Sequence, residues 1–267
     1  MAVCVIAGVA LALGAAPAAA GIKTVSNSVM IPPQGVGSVT ATCPTDTTPV
    51  SAGFTSNFSF IAGGIIPYAS SQLGAGTRTT GENVSGTLTR KLVGFAYCDT
   101  KGRTLHTSSA KVSLAPGQGR TLTVACPTGT TPISGGYRFT NRRAATGAAV
   151  MSRMVAGGWQ VEGFNSGPGT SEFAAFAYCQ RNGPRLVASG QHITLPQFGS
   201  GSVEATCPSD SRLISGGFDG HFKRMGSFTR VALTVSSRRV HNAWRVEATA
   251  SDSPSVRLTS YVYCERL

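Results

Sequence analysis

The chain is poor in charged residues, and acidic residues are the scarcest of them. Of 267 residues only 13% are charged, and 11 acidic against 23 basic residues give a formal net charge of +12 at pH 7. This excess lies on a surface predicted to be rich in Ser, Thr and Gly, where it either attracts polyanions at short range or serves solubility. Teichoic acids, acidic polysaccharides, anionic lipids and nucleic acids are the polyanions that fit such a surface.

Catalytic and metal-binding patterns are also missing. The sequence has four scattered histidines without an HxxxH spacing, and it contains no CxxC and no GxSxG. Glu162 and Glu247 recur three residues after a tryptophan, which indicates a structural hydrogen bond or salt bridge. A catalytic role would require a second carboxylate within about 5 to 10 Å. We therefore predict a non-enzymatic protein and assign no catalytic residue, metal ligand or cofactor.

Long runs with helical periodicity are absent, and the first twenty residues form the one long apolar run. They read MAVCVIAGVALALGAAPAAA and end in small residues at Ala18 and Ala20, which is typical of a secretory signal peptide cleaved before Gly21. The alternative, a membrane anchor, would need about 20 uninterrupted apolar residues. The pattern therefore predicts export, with residues 1–20 removed and no membrane-spanning segment in the mature chain.

One phrase occurs three times. It reads CPTDTTPVSAGF from Cys43, CPTGTTPISGGY from Cys126 and CPSDSRLISGGF from Cys207. The copies divide the mature chain into three segments predicted as β repeats of about eighty residues, namely 21–105, 106–186 and 187–267. In each copy, alternating apolar residues predict a strand before the cysteine, the proline ends it, and the glycines fit a bulge or a close backbone approach.

Six cysteines remain after signal cleavage, and each segment holds two of them, one before a proline and one after a tyrosine. An even number of cysteines in an exported protein indicates disulfides. The repeat therefore predicts one disulfide within each segment: Cys43 with Cys98, Cys126 with Cys179, and Cys207 with Cys264.

Strands rich in aromatic and β-branched residues close each segment, and strands led by Trp159 and Trp244 precede two of these closing strands. Counting back twenty residues from the second cysteine places Arg78 at the tryptophan position of the first segment. Both tryptophans lead apolar strands and are predicted to lie in the core. The fold class is therefore all-β, built from antiparallel strands.

The junctions between the segments are short. Asn182-Gly183 is typical of a two-residue hairpin, so the closing strand of one segment is predicted to pair with the opening strand of the next. Pairing of 24–31 with 258–264 would then remove two exposed edges and give one pseudo-threefold, prism-like or barrel-like body. The alternative is three separate small β-sandwiches.

The stretch after each SGG phrase varies between the copies and is predicted to form loops, where recognition usually resides. In the first segment it reads FSFIAGGIIPY and is uncharged, whereas the other two segments are basic. The candidate binding residues are Arg138, Arg142, Arg143, Arg153, Lys223, Arg224 and Arg230.

The combination of CP, SGG followed by Phe or Tyr, W-x-V and AYC resembles the repeat units of exported proteins from high-GC actinobacteria, a family with no settled activity. The likeness covers nearly all of residues 29–267 and is poorest in the first segment. It implies secretion and disulfide pairing within each segment, and it transfers no functional residue.

These observations favour an exported, non-enzymatic protein that binds anionic glycans of the cell envelope or the environment. The alternative is a structural or adhesive surface protein whose charge serves solubility, and a polysaccharide-acting enzyme ranks third. Nucleic acid is disfavoured as a partner, because export makes it a less natural target and because Phe222 and Phe228 near Lys223 and Arg224 are only a weak match to interleaved aromatic and basic residues.

Overall fold

The protein is built entirely from β-strands and connecting segments in the residues described by the computed structural model. The described residues are 21–59, 62–140, 147–220, 223–225, 228–230, 232–251 and 255–267, with the backbone alone described for 223–225 and 228–230. The predicted signal peptide, residues 1–20, lies outside them. The all-β prediction is confirmed.

Six long strands recur in each of the three segments, with short additional strands in the first and third. The first segment contains β1 (Ile22–Ile31), β2 (Val36–Thr42), β3 (Thr48–Thr55), β4 (Phe58–Ser59), β5 (Gly63–Leu73), β6 (Gly76–Asn83) and β7 (Arg90–Asp99). The second contains β8 (Leu105–Leu114), β9 (Gly119–Ala125), β10 (Thr130–Phe139), β11 (Gly147–Val155), β12 (Gly158–Asn165) and β13 (Ser171–Arg181). The third contains β14 (Val187–Pro196), β15 (Ser200–Thr206), β16 (Ser211–Asp219), β17 (Lys223–Met225), β18 (Phe228–Arg230), β19 (Ala232–Val240), β20 (Ala243–Ala250) and β21 (Ser255–Arg266).

The long strands form three antiparallel sheets. Sheet 1 has the order β1-β7-β3-β19-β20-β15, sheet 2 the order β2-β6-β5-β10-β13-β8, and sheet 3 the order β14-β21-β16-β11-β12-β9. Each sheet therefore combines three strands from one segment with three from another. The halves meet where β3 pairs with β19, β10 with β5, and β16 with β11. This cyclic exchange makes the three segments one pseudo-threefold body and excludes three separate sandwiches.

The predicted pairing between consecutive segments is wrong. Each closing strand already has two neighbours from its own segment, since β7 lies between β1 and β3, and β21 lies between β14 and β16. Both edges of the closing strand are thus occupied, and the predicted ladder between 24–31 and 258–264 does not form. For the same reason Asn182-Gly183 is not a hairpin. Asn182 has a φ of 49°, but the turn leads from β13 in sheet 2 to β14 in sheet 3.

The three predicted disulfides are confirmed. They are Cys43–Cys98, Cys126–Cys179 and Cys207–Cys264, and they close loops with sequence separations of 55, 53 and 57. In every segment the bond joins the end of the second strand to the closing strand, which belongs to a different sheet. Each disulfide therefore clips together the two sheets that its segment enters, and each contributes about 4 kcal/mol in the chain-entropy model.

The core lies where the third strands of the three segments meet. Phe54, Tyr137 and Phe218 occupy the same position in the three segments, and each is at most 3% exposed. The Phe218 ring meets the other two edge-on, with centroids 6.4 Å from Phe54 and 6.3 Å from Tyr137. One apolar cluster is therefore built from all three segments.

The predicted bulge and close approach at the SGG phrase are both present. The ladder shifts register just before it in every segment. A Cβ on the second glycine, Gly136 or Gly217, would lie 2.5 or 2.4 Å from the backbone oxygen of Ser70 or Ser152. A Cβ on the first glycine, Gly135 or Gly216, would instead lie 2.2 or 2.1 Å from the ring of Trp159 or Trp244. Both tryptophans are 1% exposed, as predicted. The first glycine of the SGG sequence leaves the space that the indole ring occupies.

The assignment of Arg78 to the tryptophan position of the first segment is wrong. Thr77 occupies that position, because it pairs with Gln72 as Trp159 pairs with Met154, and its side chain is buried. The connection to the closing strand is one residue longer in the first segment, so counting back from the cysteine misses by one. The missing indole also explains why Ala52 is tolerated where the other copies have glycine.

We predict that Gly135→Ala destabilises the fold by about 1 to 3 kcal/mol, because the new Cβ would overlap the Trp159 ring. Gly86→Ala is the matched control, since a Cβ added at Gly86 would have nothing within 4 Å. Urea unfolding measures both. In a Trp159→Thr background, which imitates Ala52 with Thr77, the added cost of Gly135→Ala should largely vanish. An equal cost in both backgrounds would contradict this explanation.

Tyrosine side chains reinforce the three junctions between segments, where each ladder comprises only two residue pairs. The hydroxyl of the tyrosine before each closing cysteine accepts a hydrogen bond from a backbone N–H of the neighbouring segment. The bonds run from Arg239 to Tyr97 at 2.7 Å, from Gln72 to Tyr178 at 2.8 Å and from Met154 to Tyr263 at 2.8 Å. Burial raises the pKa of all three phenols above the ordinary value, so they remain neutral at physiological pH.

We predict that Tyr178→Phe and Tyr263→Phe each lower the free energy of unfolding by about 1 to 3 kcal/mol, because a backbone N–H loses its acceptor. Tyr137→Phe is the control, since Phe54 and Phe218 fill the same position in the other segments. Chemical denaturation under non-reducing conditions provides the comparison. Equal effects of all three substitutions would mean that the hydroxyl bonds do not reinforce the junctions.

Candidate functional site

Of the seven predicted binding residues, the structure describes the side chains of Arg138 and Arg153. Arg142 and Arg143 lie outside the described residues. The backbone of Lys223, Arg224 and Arg230 belongs to the short β17–β18 ladder, in which Lys223 is opposite Arg230. This ladder belongs to the connection between β16 and β19, and residues 141–146 belong to the corresponding connection between β10 and β11.

Arg138 and Arg153 are on different sheets, each beside an aromatic ring. The Arg138 guanidinium lies over the Phe176 ring in sheet 2, 5.6 Å from the centroid. In sheet 3 the Arg153 guanidinium lies 5.9 Å from the centroid of Tyr261. Stacking on an aromatic face orients a guanidinium while leaving its edge available for hydrogen bonds.

A groove of about 740 Å³ lies on the face of sheet 2 that carries Arg138, and we call it the sheet-2 groove. It spans the junction between the first two segments, because β5 and β10 meet there. Arg78 from β6 also lines it and donates a hydrogen bond to the Ser38 hydroxyl at 3.2 Å. The volume falls within the range of about 300 to 1,000 Å³ that is usual for ligand sites. The remaining lining residues are Val36, Tyr68, Ala69, Ser71, Gln72, Leu73, Thr80, Thr107, Phe139, Thr140, Phe176 and Tyr178.

The corresponding face of sheet 3 carries carboxylates next to its arginine. Asp219 and Glu162 both pair with Met151, one from each side of β11, so their Cα atoms are roughly 10 Å apart. Burial and the charge of Asp219 raise the pKa of Glu162, and Arg153 opposes that shift. Arg153 therefore lies in a field of mixed sign, and the smaller groove beside it, of about 240 Å³, includes Asp219 in its lining.

Sheet 1 also has acids on this face. Arg245 lies 3.1 Å from a carboxylate oxygen of Glu204 and 3.6 Å from one of Glu247. Glu247 takes part in a salt bridge, as the sequence predicts, and it also lines a groove of about 340 Å³. In the part of the chain that the structure describes, the sheet-2 groove is the one of these three grooves whose lining contains no carboxylate.

Sequence reasoning missed Arg78 because it looked for basic residues after the SGG phrase of the second and third segments. Arg78 belongs to the first segment, whose variable stretch is uncharged, and it reaches the sheet-2 groove because half of that segment pairs with half of the second. The sequence did offer one indication of a surface arginine, because Arg78 lies between two threonines on a strand. Its neighbour across the segment boundary could not be found without the sheet order.

A second set of charged groups lies at the end of the body that holds the cystines. Arg103 donates hydrogen bonds to Asp99, to Gln180 at 2.6 Å and to Glu265 at 2.7 Å. These three acceptors each follow a closing cysteine, so one guanidinium binds all three segments. Arg212 also lies against Glu265 and Asp99. An open cleft of about 660 Å³ adjoins this cluster, but the Arg103 guanidinium is already used inside the protein.

The charge state of Glu265 depends on these arginines. Burial alone would raise the pKa of Glu265, but hydrogen bonds from Arg212 and Arg103, together with their charges, lower it below the ordinary value. The ionised form is thus the one that the fold stabilises. The cluster is therefore a structural ionic clasp rather than a site that offers free charge.

No group of three or more metal-binding side chains occurs among the described residues. Within the same residues there is also no helix long and apolar enough to cross a membrane.

A scan against protein-family models finds no match to this chain, and a search of curated proteins finds no significant match. The resemblance to exported actinobacterial repeat proteins therefore stays a prediction. The site must be judged on its geometry and charge.

We predict that stability falls in acid partly through Glu265. A carboxyl group whose pKa is lower in the folded state stabilises the fold above its unfolded pKa of about 4.3, and this contribution is lost as the pH falls through the folded value. Glu265→Gln should reduce the free energy of unfolding at pH 7 by about 1 to 3 kcal/mol and flatten its decline in acid. Urea titrations from neutral to acidic pH measure both effects.

Glu172→Gln is the control, because its partner Lys111 is 71% exposed and such pairs contribute little. A Glu265→Gln protein with the same acid profile as the unchanged protein would show that the clasp does not determine acid stability.

Proposed function

We propose that this protein is an exported, non-enzymatic binding protein for anionic glycans of the cell envelope or the environment. The observation that carries the proposal is the exposed Arg138 guanidinium stacked on Phe176 in a groove of ligand size. Arginine edges recognise carboxylate and phosphate groups through paired hydrogen bonds. The basic loop residues of the second and third segments would add longer-range attraction for a polyanion.

Export is part of the same proposal. Its support is the apolar, small-residue leader in 1–20 together with three disulfides, which form and persist in oxidising compartments. A glycan is a natural polyanion in those compartments, whereas nucleic acid is less available there. The alternative function is a structural or adhesive surface protein in which the positive charge serves solubility.

Binding of the mature chain to an array of anionic and neutral glycans at low and high salt tests the proposal. We expect retention on anionic glycans at low salt, weakening strongly at high salt because exposed charges are screened. Arg138→Gln should reduce retention without changing the melting temperature. Absence of anionic-glycan binding at low salt would overturn the proposal and favour the structural or adhesive alternative.

One observation bears on the enzymatic alternative. Glu162 has a raised pKa and faces Asp219 across β11, an arrangement that Glu247 lacks, because it pairs with Ser236, which pairs with Thr55. Turnover on a polysaccharide panel that is abolished by Glu162→Gln but retained by Glu247→Gln would therefore replace the binding proposal by a hydrolytic one.

A further inference from the structure

We propose that the sheet-2 groove is the glycan-binding site, that Arg78 and Arg138 hold the ligand together, and that the ligand is a pyranose carrying a carboxylate. This inference rests on the proposed function. It narrows the predicted binding set, because it includes an arginine from the first segment and leaves out Arg153.

The linings of the three grooves differ in charge. The lining of the sheet-2 groove contains two arginines and no acid, whereas Asp219 and Glu247 line the grooves of sheets 3 and 1. Among the described residues, the ion pairs engage Lys101, Arg103, Lys111, Arg212 and Arg245, and neither groove arginine is among them. Their charges are therefore available to an incoming anion.

The two arginines are held in place on either side of β5. Arg78 pairs with Ser71 and Arg138 with Ala69, which places both on one face with Cα atoms roughly 12 Å apart, from the ordinary strand spacing and rise. The Ser38 hydroxyl fixes one guanidinium and the Phe176 ring fixes the other. Such pre-orientation lowers the entropy cost of binding.

The rest of the groove suits a sugar ring. Val36 and Leu73 are 45% and 51% exposed, and the half-buried aromatic residues Tyr68 and Phe176 line the same groove. A pyranose presents faces made largely of C–H groups, which gain from contact with apolar side chains. A glycerol-phosphate chain carries the negative charge but has no such face, so the groove favours an acidic pyranose.

Calorimetric titration with an oligogalacturonate at low salt tests this assignment, with the methyl-esterified oligosaccharide as the uncharged ligand. We expect Arg78→Gln and Arg138→Gln each to weaken binding about tenfold or more, as expected for the loss of a charge-assisted contact. The methyl ester should not bind measurably. Arg153→Gln is the matched control, because it removes an arginine that also lies over an aromatic ring, and it should change affinity by less than about twofold.

The outcomes distinguish this inference from the proposed function. If the oligogalacturonate binds but Arg78→Gln has no effect, or Arg153→Gln weakens binding as much, the groove assignment is wrong and glycan binding stands. Binding of poly(glycerol phosphate) without oligogalacturonate would overturn the acidic pyranose. If neither the oligogalacturonate nor poly(glycerol phosphate) binds, this inference is wrong. If no anionic glycan on the array binds, the proposed function is wrong as well. Unchanged thermal unfolding would verify that each variant is folded.

Discussion

The hydroxyl groups of Tyr97, Tyr178 and Tyr263 hold together three sheets whose halves share only two residue pairs each. A ladder of only two residue pairs joins the halves of a sheet weakly. Without the tyrosine, a buried backbone N–H next to this ladder would lack an acceptor, which would lower the stability of the fold. The tyrosine supplies that acceptor from the closing strand of the adjoining segment. The closing strand also carries a disulfide-bonded cysteine directly after this tyrosine. One short AYC or VYC stretch therefore takes part in both the junction between segments and the disulfide.

Scarcity of acids shapes the distribution of charge. Several of the carboxylates serve structure, in the clasp around Arg103 and in the salt bridges of Arg245 on sheet 1. With so few acids, a groove whose lining contains none becomes distinctive. The three outer faces share one strand order, so the difference in charge between their grooves arises from side chains.

The sequence predicted those features that depend on neighbouring residues or on repetition. Alternation identified the strands, the paired cysteines of each copy identified the disulfides, and the glycines before Tyr137 and Phe218 identified the bulge. The strand pairs that join different segments were not predictable, because alternation shows which face of a strand a residue occupies and not which strand lies beside it. The Asn182-Gly183 turn illustrates this limit. The dipeptide is typical of a hairpin, but of the two residues only Asn182 has a positive φ, and the flanking strands enter different sheets. The place of Arg78 beside the arginine of the second segment was missed for the same reason.

The pairing of Thr55 and Phe54 with Ser236 and Ser237 joins the beginning of the chain to its end. During synthesis, β3 must wait as an open edge until β19 has emerged. Such distant pairing slows folding and leaves an exposed edge that can recruit other chains. Formation of the Cys43–Cys98 disulfide within the first segment would hold this unpaired edge in a compact form until the third segment arrives. Oxidation of the first segment would then protect the chain against aggregation as well as add final stability.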